Sequence, residues 1–143
     1  MTATDQVLIS LENRHSENIF STSKKVEFRR RPMNVSPGAV VWLYVKVPVG
    51  AVVGSVLVSS VHNLAAETLW RRFGQVSGLS KHELLEYLSG VQKGFALELT
   101  NARRLAKPIS LAELRRMAPG FHPPQFFINI SKQHALHNFL IRR

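Results

Sequence analysis

The chain has no cysteine, which removes disulfide frameworks, thiolate nucleophiles and cysteine-based zinc sites from the functional possibilities. Acidic side chains are scarce: 9 Asp plus Glu stand against 19 Lys plus Arg, for a formal net charge of +10. An acidic partner, above all one carrying phosphates, is therefore expected. A long uninterrupted apolar run is also missing. The most apolar region, 39–61, is interrupted by Lys46, Pro48, Gly50, Gly54 and Ser55 before a span of about 20 residues is reached, so it reads as two strands and no membrane contact is expected. The opening MTATDQVLIS lacks the basic start and apolar core of an export signal, and a cytoplasmic protein is expected. No Pro-, Gly- or Ser-rich linker and no internal repeat divides the 143 residues, of which 45% are apolar, so one domain is expected. The 6 histidines are scattered. Only His134 and His137 share a helix face, without a third ligand beside them, so neither a metal site nor a cofactor is expected.

What is present is a succession of short strand and helix signals. QVLISLE (6–12) alternates as a strand, and 13–20 has helical character with Asn13 as its cap. In SKKVEFRRRP (23–32), Val26 and Phe28 share one face of a strand while Lys25, Glu27, Arg29 and Arg31 share the other. This stretch fits a solvated edge, a grip for phosphate or the floor of a catalytic pocket. AVVWLYVKV (39–47) is apolar on both faces, as a doubly covered strand or barrel wall would be. A strand over 51–61 carries Gly54 where a bulge needs a residue without Cβ. Helices are expected at 65–73 and 81–88, the second opened by the capping box Ser80-Lys81-His82-Glu83. FALEL (95–99) continues as a strand through Arg104, with Pro108 as its end. A second capping box at Ser110 to Glu113 opens a short helix, FFINI (126–130) is the last strand, and Ser131 caps a terminal helix. Six strands interleaved irregularly with short helices imply an α+β fold built on a small mixed barrel.

The blocks SKKVEFRRR, PVGAVVG, LWRRFGQVSGLSKHELLEYLSGVQKGFALEL, KPISLAELR and FHPPQFFINI, in this order and spacing, resemble the ASCH (activating signal cointegrator homology) domain of the PUA-like superfamily. The resemblance covers 7–131, giving a domain at 6–131 and a helical extension at 132–143. The family signature Gly-x-Lys-x-x-Glu-x-Arg is matched by Lys24, Glu27 and Arg29, with Thr22 in the place of the usual glycine. The resemblance implies a pseudo-barrel of five or six strands, a cleft beside the signature strand, and RNA binding connected with transcription or translation.

The residues give that role a chemistry. Lys24 offers a point charge to a phosphate, Arg29 a two-pronged fork, and Glu27 either steadies Arg29 or accepts from a base amino group. Lys25, Arg30, Arg31, Lys46, Lys93, Arg103 and Arg104 can extend a cationic surface, and Gln125 in the loop GFHPPQ can donate and accept toward a base or sugar. Trp42, Tyr44 and Phe121 are aromatic candidates for stacking, although the first two sit in an apolar strand where core packing is the simpler reading. Arg71 and Arg72 read as the solvated face of a helix. RNA or another single-stranded nucleic acid is thus the expected partner. An amidohydrolase acting on a modified nucleoside such as acylcytidine is the alternative. As the resemblance implies it, that chemistry uses the signature lysine, a threonine three positions on and a downstream glutamate. Here Glu27 occupies the threonine's position, leaving Lys24, with Glu98 as a candidate partner, as the only catalytic suggestion. Ribonuclease activity and an adaptor role through the terminal helix complete the alternatives.

Overall fold

The computed structural model describes residues 5–143. A single mixed sheet of six strands is formed by β1 (Gln6–Leu11), β2 (Val26–Arg29), β3 (Val40–Val45), β4 (Ala51–Ala65), β5 (Lys93–Ser110) and β6 (Phe127–Asn129). Their order is β2-β5-β4-β3-β1-β6. β1 runs parallel to β3, and every other pairing is antiparallel. The helices are α1 (Asn13–Phe20), α2 (Ala66–Phe73), α3 (Lys81–Tyr87), α4 (Leu111–Met117) and α5 (His137–Ile141). This is the α+β fold expected, its mixed barrel realised as a curled half-barrel whose edges β2 and β6 do not pair.

Alternation distributes the core. Val7, Ile9 and Leu11 of β1 and Val41, Leu43 and Val45 of β3 fill the inside of the curl, where they meet Val53, Val56 and Leu97. Leu8, Trp42 and Tyr44 point the other way, into a second cluster with Leu114, Leu136 and Leu140. β3 is therefore covered on both faces, which explains its unbroken apolar character. A third cluster packs Val26 and Phe28 against Leu69 and Phe73 of α2, Leu84 of α3 and Leu88 just after it. Trp42 and Tyr44 are each only 2% exposed, and Phe121 is 6% exposed, so none of the three offers an open ring face. The Trp42 indole N–H donates to Gln6 Oε1 at 2.9 Å.

Gly54 lies where sequence reasoning expected a bulge. The β3–β4 register shifts beside it, and a Cβ there would lie 2.3 Å from the Arg103 carbonyl and 2.6 Å from the Phe20 ring. Pro108, by contrast, does not end β5. The register jumps from Gly54↔Arg104 to Val52↔Ile109, so Pro108 falls in a bulge where no ladder hydrogen bond needs its missing N–H. Asn13 is the first helical residue of α1 and not its cap; Glu12 holds that position without a side-chain hydrogen bond.

Ser80 and Glu83 do form the reciprocal capping box of α3. At α4 only half of one exists: Ser110 Oγ accepts from the Glu113 N–H at 3.1 Å, while the Glu113 carboxylate meets the Ser110 hydroxyl rather than its backbone. The terminal helix starts later than Ser131, because turns intervene: the His134 N–H bonds back to the Ser131 carbonyl, and His134 Nδ1 accepts from the Leu136 N–H. Leu136 and Leu140 are fully buried, so the helix spends its apolar side on the chain's own core. No helix among the described residues is long and apolar enough to cross a membrane.

Candidate functional site

β2 and β6 occupy opposite edges of the sheet, yet residues from both line one cavity of about 760 Å3. The curl brings the two edges face to face without joining them, and the cavity occupies the open seam. Glu27 pairs across the ladder with Leu97, a residue of the barrel interior, whereas Phe28 pairs with Ala96 on the helix-covered side. Glu27 and Arg29 consequently turn their charged groups into the mouth of the barrel. Their side chains are only 15% and 12% exposed.

Lys24 precedes β2 and is more deeply set. Its side chain is 1% exposed, with Nζ 3.4 Å from Glu27 Oε1 and donating to the Ser77 carbonyl at 2.5 Å. That carbonyl is held in place by a tight segment after α2. Ser77 is itself fully buried, its hydroxyl donates to the Gly74 carbonyl at 2.7 Å and accepts from the Leu79 N–H at 3.2 Å, and Gly78 turns the chain at a φ of 72°. On its other side Glu27 Oε2 lies 3.5 Å from Arg29 Nε. Burial pushes the Glu27 carboxyl up, but the charges of Lys24, Arg29 and His15, together with the Lys24 hydrogen bond, outweigh it and hold the group below the usual carboxylate range. The result is an ionised Lys24–Glu27–Arg29 row. Thr22, where the family signature has glycine, adopts a left-handed φ of 68°, which accounts for that glycine preference.

Four buried polar atoms of the cavity lining have no hydrogen-bond partner among the described residues: Arg29 Nε and Nη2, His15 Nδ1 and Ser10 Oγ. They come from β2, α1 and β1. Burial, reinforced by Lys24, drives the His15 imidazole below its ordinary value, so it is neutral at pH 7. The rim is better paired. Arg14 Nη2 donates to Glu83 Oε2 at 2.6 Å, tying α1 to α3, and this bond, with the Ser80 backbone N–H, lowers the exposed Glu83 carboxyl to about 2. Arg30 Nη1 donates to the carbonyls of Tyr87 and Ser89 at 2.7 and 2.8 Å, tying the end of β2 to the end of α3.

Of the site residues expected from the sequence, Lys24, Glu27, Arg29, Arg30, Arg31, Lys46 and Gln125 all line the cavity. Lys25 and Lys93 do not; both are exposed elsewhere, Lys25 with its N–H on the Val76 carbonyl and Lys93 at the start of β5 opposite Ala65. Arg103 and Arg104 also lie away from it, the first over the Trp42 ring and the second paired with Glu17 at 3.3 Å. Glu98 is not a partner of Lys24, because Ser60 and His62 engage its carboxylate, His62 Nε2 at 2.6 Å. The lining is not uniformly basic: Glu12, Glu27, Glu83 and Glu86 accompany the six cations Arg14, Lys24, Arg29, Arg30, Arg31 and Lys46.

Sequence reasoning missed Ser10, His15, Ser77, Tyr87 and Phe126. The last two left a signal. Leu84, Leu85 and Leu88 define the apolar side of α3, leaving Tyr87 off it, and in a strand Phe126 and Phe127 cannot both face inward. Tyr87 is 38% exposed and Phe126 44%.

No protein-family model matches the sequence. The chain is 31% identical over 128 residues to the ASCH domain-containing ribonuclease of Zymomonas mobilis, covering 90% of this chain and 86% of that protein. The crystal structure of ASCH from Zymomonas mobilis superposes with a TM-score of 0.87 at 29% identity, over 95% of this chain and 94% of that one. Over 112 residues the chain is also 29% identical to the large ribosomal subunit protein uL22 of Ureaplasma parvum, covering 77% of this chain and 35% of that protein. The relative's match in sequence and fold, running through Lys24 and the edge strand that carries Glu27 and Arg29, makes this chain a member of the ASCH domain family.

Proposed function

We propose that the cavity binds RNA as a single strand, seating a backbone phosphate on Arg29 with Lys46 as a second contact. The observation that carries this reading is Arg29, which lines a cavity of about 760 Å3 and whose buried Nε and Nη2 make no hydrogen bond among the described residues, Nε standing 3.5 Å from Glu27 Oε2. A guanidinium with unused donors in the wall of a cavity suits a phosphate oxygen pair. Lys46 lines the same cavity, is exposed and makes no ion pair among the described residues. The net charge of +10 adds long-range attraction. Lys24 and Arg30 act differently from the sequence expectation in this reading: they brace the wall, since their donors already have carbonyl and carboxylate partners. A regulatory role in transcription or translation is the setting the family resemblance implies.

The test is the affinity for a short single-stranded RNA measured across salt concentrations. The logarithm of affinity is expected to fall with the logarithm of salt by about 0.7 for each phosphate contacted, and Lys46→Ala to reduce that slope by about 0.7. Arg29→Lys keeps the charge but loses the fork, and is expected to weaken binding. Salt-independent binding, or an unchanged affinity in both variants, rules the reading out.

A second reading is RNA cleavage, favoured by the ribonuclease named as the 31% identical relative. Fragmentation of an end-labelled single strand by the wild type, lost in Arg29→Lys, is the expected result. An intact strand leaves binding alone. For hydrolysis of a modified nucleoside the cavity offers Glu27 where a hydroxyl is needed, and Thr22 instead donates its hydroxyl to the Ser21 carbonyl at 2.6 Å.

A further inference from the structure

We infer that Phe126 and Arg31 form a stacking platform for one unpaired nucleobase at the outer end of the cavity, which restricts the ligand to RNA with unstacked bases; this rests on the RNA-binding reading above. The cavity is graded in polarity. Its inner end holds Lys24, Glu27 and Arg29, with side chains 1%, 15% and 12% exposed. Its outer end holds Phe126, 44% exposed, with the Arg31 guanidinium carbon 4.4 Å from the ring centroid. A nucleotide has the same gradation, an anionic phosphate joined to a flat base. With the phosphate on Arg29, the base is directed toward the mouth.

Phe126 lies in the bend just ahead of β6. Phe127, the first residue of the strand, pairs with Ile9 and packs against the interior cluster, whereas Phe126 stays exposed at the cavity lining. The ring is also held in place. Pro123 and Pro124 stiffen the preceding loop, and Arg115 Nε donates to the Phe121 carbonyl at its start, at 3.0 Å. Arg31 lies two residues beyond Arg29, past the end of β2, so this edge of the sheet presents a phosphate fork and, where the chain bends away, a stacking plane. Arginine planes and aromatic rings are both surfaces on which unpaired bases stack. Bases within a duplex are already covered on both faces and have none to offer.

The experiment compares a short single-stranded RNA, the same strand annealed to its complement, and the same strand with an abasic site, against wild type, Phe126→Ala, Phe126→Leu and Arg31→Ala. The wild type is expected to prefer the single strand. Phe126→Ala is expected to weaken that binding about 5- to 150-fold, the counterpart of about 1–3 kcal/mol per stacked base. Phe126→Leu, which keeps apolar bulk and loses the π face, should fall between them. Salt slope and duplex affinity should not change in either Phe126 variant, and the abasic strand should bind wild type about as weakly as the intact strand binds Phe126→Ala. Equal losses for single strand and duplex, or no loss in Phe126→Ala, overturn the stacking assignment while leaving salt-dependent RNA binding standing. Absence of any RNA binding by wild type overturns both.

Discussion

Replacing Lys24 with methionine removes the most deeply buried charge at the seam and should test the structural half of this site. Lys24 Nζ lies 3.4 Å from Glu27 Oε1. At an effective dielectric constant near 20, two unit charges at that separation attract by about 5 kcal/mol. Desolvation of both groups offsets part of this, so the pair's net worth is smaller than its attraction. Removing one partner is a different matter. Glu27 would stay buried with Arg29 alone, at 3.5 Å, and the Ser77 carbonyl would lose its donor. A loss of about 3–5 kcal/mol is expected for Lys24→Met, a large part of the about 5–15 kcal/mol that holds a domain of this size together. The companion change Glu27→Gln should restore part of it, because the double variant removes the stranded carboxylate, at the expense of the anion beside Arg29. The assay is urea unfolding of the two single variants and the double, with unchanged m values. A coupling of at least about 2 kcal/mol is expected. A Lys24→Met variant that costs less than about 1 kcal/mol, with the singles adding to within about 0.5 kcal/mol, would refute the buried-row account. This is also why the functional tests above vary Arg29 and Lys46: a Lys24 variant reports on folding before it reports on RNA.

Two further outcomes follow from the same geometry. The Glu27 carboxyl titrates below its unfolded value, so its contribution to stability is complete above about pH 4.5 and is lost as pH falls through the folded value. His15 also titrates below its unfolded value, burial and Lys24 being the leading causes. Its contribution is therefore complete above about pH 6.5 and is lost as pH falls through the folded value. Unfolding midpoints should therefore drop on acidification in two stages, the upper one flattened by His15→Gln and the lower one by Glu27→Gln; a midpoint that rises on acidification over these ranges contradicts both assignments. Thr22→Gly should stabilise the protein by about 0.5–1 kcal/mol, since relief of a left-handed β-branched residue, about 1–2 kcal/mol, exceeds the entropy glycine adds to the unfolded chain. The melting temperature should rise by about 1–4 °C, and a fall would show that the turn does not strain Thr22.

Strand positions were legible from the sequence because alternation is a local signal. Val26 and Phe28 separate from Glu27 and Arg29 in the letters as they do in the fold. The direction of the charged face was not legible. A row of charges normally marks the solvent side of a strand, whereas here it faces the interior, and only closure of the curl decides which face is which. Pro108 was misread as a stop because the bulge that accommodates it depends on the register of β4. Ser131 is not a cap because five turn and bend residues, 132–136, and a histidine nitrogen accepting a backbone N–H intervene before the helix begins. Ser10 and His15 carried no signal, since nothing near them in sequence says that β1 and α1 will meet an edge strand at the other side of the sheet.

The seam also changes what the net charge of +10 means for binding. Most cations of this chain lie away from the cavity or are already engaged: Arg14 with Glu83, Arg104 with Glu17, Lys81 with Glu67, and Arg30 with two carbonyls. Exposed pairs of this kind are worth about 0–1 kcal/mol and leave a diffuse field that speeds the approach of any polyanion without choosing among them. Choice requires charge that is fixed in direction and short of partners. Glu27 supplies that condition: held ionised by Lys24, it stands beside Arg29 at 3.5 Å yet leaves Nε and Nη2 without a hydrogen bond. Substituting a hydroxyl there would free Lys24 and remove the anion beside Arg29, exchanging a directed fork for two separate charges. The carboxylate at this position is therefore consistent with a wall organised to grip a phosphate, and the same carboxylate is what a hydroxyl-nucleophile mechanism would have to do without.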